Sequence, residues 1–186
     1  MMSGEKTEKI EKKMVDDFIE PYYRDKDIMH NMWHIELVRR QAEKIIALGN
    51  YEVNRDVLDL ALAFHGFIYR EEEKIRAFLS DHGVNGKDTD AIIQAAWESQ
   101  RPEMPESLEG KILHDAHVLE GGKTYTVVKT LITGSVRGQS LEETLAFMQK
   151  NVLGANKCYL PETIKMCNEM NEYTESFYRE LVEGIR

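Results

Sequence analysis

The stretch Val57-Leu-Asp-Leu-Ala-Leu-Ala-Phe-His-Gly-Phe-Ile68 is apolar almost all the way round a helix. A helix with so little polar face belongs at the middle of a bundle, not on its surface. The pattern predicts one helix over residues 54–69. The chain on either side also reads as helix. Four prolines and little β-branched alternation leave scant room for a sheet. A first helix is predicted over residues 6–19, stopped near Pro21, because proline breaks a helix interior. A second starts at Asn31, a good N-cap, and carries Ile35, Val38, Ala42, Ile45 and Ile46 on one face. It ends at Gly49-Asn50. Further helices are expected over residues 71–81, 89–99 (stopped by Arg101-Pro102), around Asp115, and over 124–133, 140–151 and 161–183. The fold class is therefore all-α, a single-domain bundle of seven to nine helices.

The 186 residues suffice for one domain with a sizeable core. With 42% hydrophobic and 31% charged residues the composition is that of a soluble globular chain. No run of about 18 apolar residues suggests a membrane span. The first residues lack the apolar centre of a signal peptide, so a cytoplasmic protein is expected. Two cysteines, Cys158 and Cys167, are too few for a disulfide framework and read as buried or half-buried thiols. The formal net charge of −9 argues against a nucleic-acid polymer as partner, but leaves room for a small anion in a local basic pocket. The oligomeric state is open, a homodimer included.

Asp115 is the most informative single residue. Within Gly110-Lys-Ile-Leu-His-Asp-Ala-His-Val-Leu-Glu-Gly-Gly122 it shares a helical stripe with Ile112, Ala116 and Leu119. A carboxylate in such a stripe is costly to bury unless it is paired or bound to a metal. His65 lies in the apolar third helix and His34 at the edge of the apolar face of the second. Taken alone, a histidine in such a place is most simply a core residue satisfied by one hydrogen bond. Two neutral imidazoles and a carboxylate together suit zinc, iron, manganese or nickel.

The order of these residues adds a resemblance. His34-Ile-Glu-Leu-Val38 is similar to the first motif of the HD-domain metal-dependent phosphohydrolases. Ala61-Leu-Ala-Phe-His65 resembles the segment bearing that family's His-Asp pair. Lys111-Ile-Leu-His-Asp-Ala-His-Val-Leu119 resembles the helix bearing its last aspartate. Lys129-Thr-Leu-Ile-Thr-Gly134 is similar to a basic-Thr-aromatic stretch of one subgroup, without the aromatic. The resemblance covers about residues 28–150 and implies an HD-like bundle around a divalent metal (Mn, Fe, Ni, Zn or Mg). His34, His65 and Asp115 would be its ligands.

The sequence departs from the family at three places. Gly66 stands where an aspartate follows the second histidine, His117 where many relatives have a second aspartate, and Trp97-Glu98 where active relatives often place a histidine. The expected function is hydrolysis of a nucleotide or another phosphate ester, with Asp115 as ligand and Glu98 as substitute base. Glu72 and Glu73 are weaker substitutes, most simply solvated. Lys129 and His30 are the expected substrate contacts, with Arg137 a further phosphate contact. His114 and His117 are placed on the surface or outside the metal's immediate ligands. The alternative is a degenerate HD domain that binds a nucleotide or small ligand without hydrolysing it, which Gly66 motivates. A weaker third reading is a structural interaction domain.

Overall fold

A computed structural model describes residues 10–100 and 103–185. The predicted start of the first helix at residue 6 and the stop at Arg101-Pro102 lie outside the described residues. Among those residues nine α-helices and no strand are present: α1 (Lys12–Tyr23), α2 (Met32–Gly49), α3 (Arg55–Phe64), α4 (Ile68–Asp81), α5 (Gly86–Glu98), α6 (Leu108–Val118), α7 (Tyr125–Val136), α8 (Leu141–Asn151) and α9 (Pro161–Gly184). The all-helical expectation holds.

Capping sets most boundaries. The Asn31, Asn54, Asn85, Ser107 and Ser140 side chains each accept from a backbone N–H of the helix that follows. At Ser140 the Glu143 side chain returns the bond, completing a capping box. The helix α2 closes on Asn50, the one described non-glycine residue with positive φ. Pro21 does not stop α1, which continues through it to Tyr23. Near a helix's end the cost of a missing N–H is local, and burial of Tyr23 holds the last turn in place.

The middle of the bundle is α3, packed against α1, α2, α5 and α6. Val57, Leu58, Ala61, Leu62, Ala63 and Phe64 are all buried, as the apolar pattern requires. The helix does not run to Tyr69. It ends at Phe64, with His65 as its C-cap, and α4 restarts at Ile68.

The backbone groups freed by this break are satisfied from outside the helix. Gly66 N–H donates to the Tyr23 hydroxyl, at 3.1 Å, and that hydroxyl donates to Ala63 O at 3.2 Å. The Leu62 carbonyl takes the ring Nδ1 of His65, at 2.6 Å, in place of the next helical N–H. Gln100 Nε2 reaches His65 O and Lys26 Nζ reaches Gly66 O, at 2.8 and 2.9 Å. Such accounting is what allows a helix to stop in a core.

Gly66 is part of this device. A Cβ there would run into the Tyr23 hydroxyl. Tyr23 is fully buried, and burial pushes its phenol well above the ordinary tyrosine range. Tyr23→Phe should therefore leave Gly66 N–H and Ala63 O short of partners and cost about 1–3 kcal/mol in urea denaturation. Unchanged stability would remove Tyr23 from its role at the break.

Candidate metal centre

The C-terminal break of α3 turns His65 toward two other imidazoles. His34 comes from the first turn of α2 and His117 from the last turn of α6. Each offers a ligand atom, and these atoms lie within 4.8 Å of one another. His34 and His65 are buried, His117 half-buried.

The outward nitrogens decide what the inward ones are. His65 Nδ1 faces Leu62 O at 2.6 Å and His117 Nδ1 faces Ser99 O at 3.3 Å. A carbonyl only accepts, so both rings carry their proton on Nδ1 and leave Nε2 as a lone pair. His34 Nδ1 meets the carboxylate of Glu120, which fixes the same tautomer. Three unprotonated Nε2 atoms thus converge. His34 Nε2 and His65 Nε2 are 3.0 Å apart. Lone pairs at that distance repel unless a proton or a cation lies between them.

A proton is opposed by burial. Burial pushes His65 down to about 4, against a weaker upward pull from its bond to Leu62. Burial first, then the neighbouring histidine, drives His34 far below the ordinary range, and His117 is lowered for the same reasons. A cation fits instead. Nitrogens bound tetrahedrally to zinc at the usual bond length stand roughly 3.3 Å apart. The group can hold a metal ion, and three neutral imidazoles are a zinc-, iron- or nickel-type donor set more than a magnesium one.

Glu120 was not read from the sequence as a site residue. It is 3% exposed and holds His34 from behind, while Lys129 forms an ion pair with its other oxygen. A carboxylate behind a ligand histidine fixes its ring and raises its basicity. The chain gave one usable signal, an acidic residue three positions after His117, just past the end of α6.

Asp115 lies elsewhere. It is fully buried, and its carboxylate accepts from Tyr159 N–H, Leu160 N–H and the Thr163 hydroxyl, at 3.0, 2.9 and 2.6 Å. His114 Nδ1 stands 3.1 Å from it. The carboxylate sits at the start of α9, whose N-cap Leu160 has no side chain able to do this work. Among the described residues the convergent group consists of the three histidines, without Asp115. His117, expected outside the ligand set, takes the place foreseen for it. The helix α6 buries residues on more than one side, so Asp115 and His117, two positions apart, face different neighbours.

Glu98 is likewise engaged away from the histidines. Its carboxylate accepts Glu106 N–H, Ser107 N–H, the Ser107 hydroxyl and Gln94 Nε2. It clamps the loop entering α6 so tightly that a Cβ at Gly110 would collide with it. Glu72 accepts from Arg76 and the Trp97 indole, at 2.8 Å each. Glu73 is exposed.

His30 and Lys129, the expected substrate contacts, do line the cavity beside the cluster, and so does Arg137. His30 pairs with Asp27 at 2.9 Å, and its ring centroid is 6.2 Å from that of His34. Burial, then the Lys129 charge, lowers the His30 pKa.

No family model, no curated protein and no solved structure matches the chain.

Two outcomes follow from this arrangement. His117→Ala should reduce bound zinc, measured by mass spectrometry after loading, to background. Asp115→Asn should retain it while losing about 1–3 kcal/mol of stability. The reverse pattern would return Asp115 to the metal. Acidification should also unfold the metal-free protein. His65 ionises near 6.5 when unfolded but only near 4 when folded, so the unfolded chain binds the extra proton between those values. Stability is full above pH 6.5 and falls toward pH 4, by about 1.4 kcal/mol per unit for this one group. Denaturation of wild type and His65→Gln, in chelator from pH 7.5 to 5, should give the shallower slope to the variant. Parallel slopes would contradict it.

Proposed function

We propose that the chain is a divalent-metal-dependent phosphohydrolase of HD-domain type, built on His34, His65 and His117 in place of the family's mixed histidine–aspartate set. The single observation that supports this most is the convergence of three Nε2 lone pairs, each enforced by a bond at Nδ1. A metal ion there supplies charge that polarises a phosphoryl oxygen and makes water acidic enough to ionise near neutral pH.

The remaining roles belong to side chains. His34 is held in register by Glu120, and Glu120 by Lys129. His30, oriented by Asp27, lines the same space and would take the proton of the attacking water. Lys26 and Arg137 line the same space and suit an anionic substrate. In the reaction the water oxygen bonds to phosphorus as the ester P–O bond breaks. The alcohol leaves with a proton, and inorganic phosphate remains.

Gly66 favours a second reading, a domain that binds a phosphorylated ligand without turnover, because no carboxylate follows His65 and Tyr23 fills that space. Phosphate release from phenyl phosphate decides between the two. Protein loaded with zinc, manganese or nickel should hydrolyse it, and His117→Ala should slow it at least about 100-fold. Absence of turnover with every metal, together with retained phosphate binding, would select the second reading.

A further inference from the structure

The three histidine rings of the cluster stand at even spacing. The centroids of His34 and His65 are 5.1 Å apart, those of His34 and His117 5.2 Å, and those of His65 and His117 5.0 Å. Imidazoles bound tetrahedrally to one zinc through Nε2 have centroids roughly 5 Å apart, from the Zn–N length and the size of the ring. The three rings thus stand as three corners of a tetrahedron. The fourth corner is the open question.

The rings border a space of about 370 Å³, whose other walls include Lys26, Asp27, His30 and Arg137. Lys26 and Arg137 are cations, which a metal ion repels. Asp27 is already engaged. Both its oxygens stand 2.9 Å from His30 Nδ1, and Oδ1 also accepts Met29 N–H at 2.8 Å. His30 has a donor to spare. With Nδ1 against a carboxylate, the neutral ring carries its proton there and leaves Nε2 as a lone pair. Burial lowers the His30 pKa, so the ring is neutral at pH 7. The pairing of His30 with Asp27 repeats that of His34 with Glu120, a carboxylate behind a histidine.

The position of His30 sets it apart from the other three. Its ring centroid is 6.2 Å from that of His34, slightly beyond the spacing of the cluster. Its side chain is 32% exposed, and it belongs to the non-helical stretch 24–31 between α1 and α2. A small shift of a turn brings it in, with no helix displaced. Four imidazoles complete a tetrahedral zinc and leave no place for water or substrate, whereas a catalytic site keeps one place open. One ligand must then leave for chemistry to occur. His30 is the most exposed of the four and the one on a turn.

We propose that His30 is an exchangeable fourth ligand of the metal. Its Nε2 fills the fourth position in the resting protein and yields it to a phosphoryl oxygen arriving beside Lys26 and Arg137. The freed nitrogen is then the base of the hydrolysis. This rests on the metal centre of the phosphohydrolase reading, but its test needs no turnover.

Nitrogen-15 NMR of the full chain, labelled in histidine and titrated with zinc, reads the ring nitrogens directly. Zinc should move four Nε2 resonances, among them the one missing from His30→Ala. In His30→Ala only three should move, and zinc affinity against a competing chelator should fall at least about tenfold, the least expected for loss of an outer partner alone. Inorganic phosphate added to the zinc-loaded wild type should return the His30 resonance, and no other, to its zinc-free position. His30→Gln keeps a polar side chain in the turn and carries the comparison if His30→Ala fails to fold. Movement of three resonances without that of His30 would overturn the proposal and leave the metal centre standing. Movement of none would remove the metal centre, and the phosphohydrolase reading with it. A His30 resonance that zinc moves and phosphate does not would make it a fixed ligand and overturn the exchange.

Discussion

Three imidazole rings share one small volume, and each has its outer nitrogen committed elsewhere. That commitment is the constraint on which the neighbourhood depends. It requires the Leu62 carbonyl to be vacated by the helix, the Ser99 carbonyl to face inward from the end of α5, and a buried carboxylate behind His34. Each requirement shapes an element. The helix α3 ends at Phe64 because its carbonyls are taken by His65 and Tyr23. The turn after α6 brings Glu120 back under α2, where Lys129 of α7 neutralises it. The site is therefore less a set of residues placed on a finished fold than the reason the fold breaks and turns where it does.

Asp115 illustrates how a buried carboxylate that reads as a metal ligand can be engaged elsewhere in the fold. Its isolation among apolar residues correctly implied a strong partner. The partner is the N-terminal end of α9, two backbone amides and one hydroxyl, supplied more than forty residues later in the chain. Local periodicity cannot distinguish a helix terminus from a cation, because both present concentrated positive charge. Glu98 follows the same logic at the loop entering α6.

Helix existence was legible wherever a cap and an apolar stripe coincided, as at Asn31 and Ser140. The break at 65–67 was not, because apolar periodicity continues through it. What stops the helix is Tyr23, more than forty residues earlier, and a propensity reading treats Gly66 as only a mild penalty. Of the site, His34 and His65 were singled out from their apolar surroundings, His30 from its spacing to His34 and Lys129 from the resemblance; the structure places His34, His65 and His30 around one cavity and Lys129 in a neighbouring one that His30 also lines. Glu120 and His117 were missed as partners of the cluster. Recognising them required knowing that α6 buries several of its sides at once, a fact of packing rather than of pattern.

Tyr23 and Gly66 occupy what is in effect a single slot. The hydroxyl of one fills the space into which any side chain at the other would grow. A carboxylate at position 66 thus demands a smaller residue at position 23, and shrinking Tyr23 alone would strand the backbone groups at the break. Each change made alone carries its own cost at the break. A carboxylate beside His65 is therefore a matter of two coordinated substitutions, one at each position.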